Sequence, residues 1–154
     1  MSLTNWFYVV SSDLSRIPDA VAFYEKEYEE GRKFLPLEGA ISRKCGQLAT
    51  VVDKYYAYYQ EIEAILEHLN IEQKKVRAQV FKKYLENYQR SLSSRDCEKY
   101  CDGDPAVINV AMLVNEWSLV RNKYQGLHKS LENMNWMIGH VVRLRAAGLD
   151  DAHF

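Results

Sequence analysis

Any catalytic or metal chemistry here would have to come from four histidines, three cysteines and the carboxylates, and their spacing argues against it. His68, His128, His140 and His153 form no HExxH and no pair at ligand spacing, and no glycine-rich phosphate loop is present. Cys97 and Cys101 could share one helical face, but a zinc site needs two further ligands that nothing nearby supplies. They are expected to be unpaired loop thiols, and no metal site is expected. Asp102 and Asp104 flank a glycine, yet calcium loops need more oxygens at fixed spacing. Asp104 is better read as a helix cap. The chain therefore reads as a non-enzyme without a cofactor.

Binding chemistry is better represented. From Ile71 to Arg95 there are seven basic residues, Lys74, Lys75, Arg77, Lys82, Lys83, Arg90 and Arg95, opposed only by Glu72 and Glu86. Upstream, Glu25, Glu27, Glu29 and Glu30 make Asp19–Glu38 acidic. This asymmetry suits a phosphate-facing end and a separate protein-facing end. The alternative is that the cations merely solvate an exposed helix face. Tyr84 and Tyr88 stand beside the basic residues as candidates for base stacking. Within Tyr55-Tyr56-Ala57-Tyr58-Tyr59, Tyr55 and Tyr59 are expected in the core, and Tyr56 and Tyr58 off it.

These residues must be held by helices. The chain has 154 residues, enough for one domain, with 47% hydrophobic and 27% charged residues. Seven glycines and three prolines are too few for a β-sandwich or barrel of this length. The formal net charge of −1 excludes binding driven by bulk charge, so an anionic partner needs a local stripe. The apolar run Trp6–Val10 is too short for a signal peptide or a membrane span. A soluble, cytoplasmic protein is expected, and Thr4–Val10 could be extended.

Pro18 and Asp19 open an acidic amphipathic helix over Asp19–Phe34, ended by Gly31 and Leu35-Pro36. Ile41, Cys45, Leu48, Val52, Tyr55, Tyr59, Ile62, Leu66, Leu69, Gln73, Val76 and Val80 then alternate steps of four and three. That repeat keeps one seam against a partner helix, as in a left-handed coiled coil. Ser91–Gly103 carries turn residues and reads as a loop. Asp104-Pro105 starts a second long helix, with Val107, Val110, Val114, Trp117, Val120, Tyr124, Leu127, Leu131, Met134, Ile138 and Val141 on its seam. Asn133 and Asn135 are the expected interior break, and Gly148 the C-terminal cap. The expected fold is all-α: an antiparallel, coiled-coil-like hairpin of Leu37–Tyr88 and Pro105–Ala147 with short flanking helices. Residues 1–35 would form an amino-terminal extension and residues 36–154 the main domain. So thin a hairpin leaves apolar surface in water, and Trp136, Ile138, Val141 and Leu144 are expected to meet a neighbouring subunit.

Two stretches resemble the UvsY-like recombination mediators of tailed bacteriophages. One is Ile71-Glu72-Gln73-Lys74-Lys75-Val76, continuing to Tyr84 and Tyr88. The other is Asp104-Pro105-Ala106-Val107, followed by Trp136-Met137-Ile138-Gly139-His140-Val141-Val142-Arg143-Leu144-Arg145-Ala146, where the family carries an aromatic, an Ile, a His and an Arg-Ala at matching spacing. The likeness extends over about two thirds of the chain. It implies an accessory that binds single-stranded DNA and assembles as a homo-oligomeric ring, a heptamer by the family pattern. Such proteins load a RecA-like recombinase onto DNA covered by single-strand-binding protein, in the host cytoplasm when phage-encoded. Lys74, Lys75, Arg77, Lys82 and Lys83 are the expected phosphate contacts. The competing reading is a structural helical-bundle or assembly protein that binds no DNA.

Overall fold

The computed structural model describes residues 5–87 and 91–149, and among these it is all-helical with no strand. Five α-helices follow in order: α1 (Trp6–Ser12), α2 (Ile17–Arg32), α3 (Ile41–Asn87), α4 (Ser94–Asp102) and α5 (Pro105–Ala146), with a 3₁₀ turn at Leu14–Arg16. At 1.5 Å per residue, the 47 residues of α3 make a rod about 70 Å long. Its partners on α5 come in reverse sequence order. Leu48 packs with Met134 and Ile138, Tyr55 meets Tyr124, Trp117 Nε1 donates to the Ile62 carbonyl at 2.9 Å, and Val80 clusters with Val107.

Local signals explain most boundaries. Asp13 stops α1 in an extended conformation, and its carboxylate accepts the Ser15 N–H at 3.0 Å to cap the following turn. Pro18 sits in the first turn of α2, where a missing N–H costs nothing. Gly39, at φ 77°, turns the chain from α2 into α3. Asp104 Oδ1 accepts the Ala106 N–H at 2.9 Å and starts α5. At the far end Gly148 takes φ 72°, and the Leu149 and Gly148 N–H groups close on the Leu144 and Arg145 carbonyls, a Schellman ending at the expected glycine.

Four expectations need correction. Trp6–Ser12 is a helix and not an extended stub. Val10 is fully buried, and the Glu61 carboxylate of α3 accepts the Phe7 N–H at 3.0 Å, serving as a cap supplied by another helix. The segment expected as a loop contains α4, whose N-cap Ser93 exchanges bonds with Asp96 and whose Cys97 and Cys101 are both fully buried. All three cysteines are free, but these two are core residues of a helix and not loop thiols. Asn133 and Asn135 interrupt nothing. Both face solvent while Leu131, Met134 and Ile138 hold the opposite side of a continuous α5. Lastly, Tyr58 is buried and Tyr59 only half-buried, the reverse of their expected places.

That exchange has a tertiary cause. α2 lies along the middle of the α3–α5 pair, so α3 buries Tyr55, Tyr58, Ile62, Ile65 and Leu69, an arc wider than a two-helix seam. Tyr24 of α2 is the hub. Its ring meets Phe23, Tyr58, Trp117 and Tyr124 edge-on at 5.1–5.8 Å, its hydroxyl donates to Glu61 Oε2 at 2.6 Å, and its carbonyl accepts the Tyr124 hydroxyl at 2.9 Å. Val10, Ile17, Ala20 and Tyr24 share one core cluster with α3 and α5. Gly31 permits the close approach: a Cβ there would stand 2.7–2.9 Å from Tyr55 and Leu127.

Candidate nucleic-acid interface

Lys74, Lys75, Arg77, Lys82 and Lys83 lie on the last four turns of α3, beyond the reach of α2, while Arg95 stands on α4 and Arg90 lies outside the described residues. At 100° per residue, Lys75 and Lys82 project together and Lys74 lies beside them, opposite the inward Val76 and Val80. All three ammonium groups are exposed. Between them the same face carries Ile71 and Leu85, 41% and 50% exposed. Lys75 bonds Glu72 one turn back at 2.6 Å, and Lys82 approaches Glu86 at 3.9 Å. The Lys75 bond holds the Glu72 carboxyl below its usual range. Both lysines are exposed to water, and contacts at such a surface are weak and easily exchanged for a phosphate.

Arg77 and Tyr84, also seven apart, point elsewhere. α4 and the cap of α5 cover their side of α3. The Arg77 guanidinium pairs with the Asp102 carboxylate, which pushes the arginine further up its range, and the Cys101 thiol donates to the Arg77 carbonyl at 3.4 Å. Burial pushes that thiol up in turn. The Tyr84 hydroxyl donates to Asp104 Oδ2 at 3.0 Å, and its ring stacks on Tyr100 at 5.7 Å and 27°. Lys83 lies over the Tyr84 ring at 5.8 Å. The five expected phosphate contacts therefore divide: Lys74, Lys75 and Lys82 form one open face, while Arg77 is engaged by α4 and Lys83 leans toward it. Tyr88 lies outside the described residues.

The acidic stretch is neutralised within the chain. Glu25 pairs with Lys123 of α5 at 2.7 Å and Glu27 with Lys54 of α3 at 2.8 Å, while Glu29 and Glu30 pair with Arg32 and Lys33 one turn on. The bond to Glu27 holds the Lys54 ammonium above its usual range. Rather than offering a bare acidic face, two of these glutamates pin α2 to the long helices.

The expected subunit-contact residues also separate. Ile138 is buried within the chain against Leu48, Val141 and Leu144 are half-buried, and Trp136 is 70% exposed. Trp136 stands at the lip of an open groove of about 1020 Å³ between α3 and α5, with Tyr56 on the opposite wall and His128 and Asn135 along it. Sequence reasoning missed this groove. His128 packs near both Tyr56 and Tyr59, and its ring is 6.5 Å from Tyr59 and nearly parallel to it.

Among the described residues no group of three His, Cys, Asp or Glu side chains could hold a metal ion, and no helix is long and apolar enough to cross a membrane. The sequence matches no protein-family model and no curated protein, and the fold matches no solved structure, so the reading of this site stands on its residues and geometry.

Proposed function

We propose that the protein is a non-enzymatic accessory of DNA recombination and repair that binds single-stranded DNA through α3. In this reading it assembles as a homo-oligomer and helps load a RecA-like recombinase onto DNA covered by single-strand-binding protein. The observation that carries it is the open face of α3, where Lys74, Lys75 and Lys82 stand exposed around Ile71 and Leu85. Ammonium groups on such a face exchange weak carboxylate contacts for phosphates, and the resemblance of residues 71–76 and 136–146 to the mediator family supplies the biological setting. Self-association would use the apolar shoulder of Met137, Val141 and Leu144, completing an antiparallel hairpin that covers little of its own far end.

Phosphate contacts release counterions, with a slope of about −0.7 per contact for single strands. Changing Lys75 and Lys82 to Ala should therefore weaken binding to a single-stranded oligonucleotide and flatten the log–log salt slope by about 1.4. Helicity and oligomer mass should stay unchanged, because both side chains point to water. A shift assay at several salt concentrations reads this directly.

A structural bundle protein is the second reading, favoured by one observation: Lys75, Arg77 and Lys82 already have carboxylate partners. If the double variant binds as the parent does, or neither binds, that reading replaces the first.

A further inference from the structure

A second charged aromatic face lies at the other end of the molecule. Lys129, Asn133, Trp136, His140 and Arg143 step by four, three, four and three along α5, within an arc of about 80°. All five are exposed, and they lie opposite the buried Leu131, Met134 and Ile138. Trp136, at the centre, is the most exposed large hydrophobic side chain among the described residues. Among those residues neither Lys129 nor Arg143 has a carboxylate partner. The neighbouring Glu132 turns to His128 Nε2 at 3.3 Å instead.

From this juxtaposition we infer that the outer face of α5 is a binding surface for single-stranded nucleic acid, distinct from the α3 stripe, with Trp136 as a stacking platform between two phosphate contacts at Lys129 and Arg143. The two cations are about 21 Å apart along the helix, and the face lies some 40 Å from the α3 stripe. A flat indole flanked by unpaired cations is the arrangement that tracks a strand without reading its sequence. A base that passes Trp136 meets the groove whose far wall carries Tyr56, and Asn135 there can hydrogen-bond a base edge. A second copy of this chain fits the face poorly. A strand pairs its phosphates with both cations, whereas a second copy would have to bring carboxylates to Lys129 and Arg143 or bury them unpaired, which is costly. The apolar shoulder of Met137, Val141 and Leu144 is centred about 90° round the helix from the middle of this face.

The three tryptophans make the test direct. Trp117 is buried, Trp6 is half-buried, and Trp136 alone of the three is largely exposed. The full chain is titrated with single-stranded oligothymidylate while tryptophan emission and the anisotropy of the labelled oligonucleotide are followed. The parent and Lys75→Ala/Lys82→Ala proteins are compared, each with Trp136 intact, changed to Phe or changed to Ala. Saturating quenching is expected in both backgrounds with Trp136 present, and its loss in the Phe variant. In the Lys75→Ala/Lys82→Ala background, Trp136→Ala should lower the residual affinity at least fivefold, the lower limit for one stacked base, and Phe should largely restore it. Lys129→Ala/Arg143→Ala should lower it as well, more at low salt than at high.

Oligonucleotide binding that leaves Trp136 emission unchanged overturns the inference. So does emission that follows protein concentration and ignores the oligonucleotide, which would assign the face to a second copy. Residual binding that Trp136→Ala leaves intact does the same. Failure of the α3 stripe alone would leave the quenching in place, so the two sites fail separately.

Discussion

Gly31→Ala isolates what holds α2 on the long helices. In most helix interiors this substitution stabilises, because alanine is favoured over glycine by about 0.8–1.0 kcal/mol. Here the added methyl would stand 2.7 and 2.8 Å from Tyr55 ring carbons and 2.9 Å from Leu127 Cδ2. Carbon atoms pack at about 3.5–4.0 Å, so the overlap approaches 1 Å on two sides. The Tyr55 ring has little room to yield, being only 5% exposed and set against Tyr58 and Tyr124 at 6.0 and 6.4 Å. Overpacking of this kind costs about 1–3 kcal/mol, and three simultaneous contacts place it at the upper end, leaving a net loss of about 1–2 kcal/mol. Gly126 in α5 is the control. A Cβ there meets nothing within 4 Å, so Gly126→Ala should gain about 0.5–1 kcal/mol. With a urea dependence of about 2 kcal/mol/M, the first variant should unfold about 0.5–1 M earlier than the parent and the second slightly later. A Gly31→Ala midpoint at or above the parent's would refute the close-approach account of α2.

Three other outcomes follow from particular contacts. Glu61→Ala leaves the buried Tyr24 hydroxyl and the Phe7 amide without their acceptor, so it should cost about 2–4 kcal/mol in chemical denaturation, and Glu61→Gln, with one acceptor oxygen left, about half. Asp102→Asn frees the Arg77 guanidinium and should tighten single-strand binding and steepen its salt slope by about 0.7 in the shift assay, with no loss of helicity. Burial raises the Tyr24 and Tyr124 phenols above the ordinary 10.0, and the bond to Glu61 raises Tyr24 further. The folded state therefore keeps protons that the unfolded chain releases. Stability should be intact below about pH 10 and fall above it, by up to about 1.4 kcal/mol per pH unit for each tyrosine. Urea midpoints at pH 9 and 11 measure this, and Tyr24→Phe should make the fall shallower.

The long helices were legible because their signal is periodic. Leu48, Tyr55, Ile62 and Leu69, every seventh residue of the expected α3 seam, are buried, as are Trp117, Tyr124 and Leu131, while the seam positions between them, Val52, Tyr59 and Leu66, are half-buried and Cys45 is exposed. Tyr58 and Ile65 were not legible, since only the direction from which α2 arrives decides that a second stripe is covered. α1 is too short to announce itself, as its seven residues depend on Glu61 and on a buried Val10 supplied by the tertiary fold. α4 could have been read from Ser93-x-x-Asp96 and the two cysteines four apart, but its flanking serines and glycine resemble a turn. In the candidate site, the positions of Lys74, Lys75 and Lys82 follow from helical geometry alone. That Arg77 and Tyr84 are taken depends on where the α3–α5 connection folds back. The groove beside Trp136 has no linear signature, because its walls are more than seventy residues apart in the chain.

The unequal thickness of the rod grades its resistance to local opening. Around Tyr24 three helices share buried aromatics, so amides near Ile62 and Trp117 should exchange with solvent only by near-global unfolding. Toward the ends the cover thins to the small clusters of Leu48, Met134 and Ile138 and of Val80, Cys101 and Val107. Helix that frays there breathes at a far smaller cost than the waist does. Both charged faces sit on these softer ends, so a strand that bound either one, as proposed, would have to quiet a helix terminus. Binding would register as slowed amide exchange near Lys82 or Arg143 while the waist, already rigid, reports nothing.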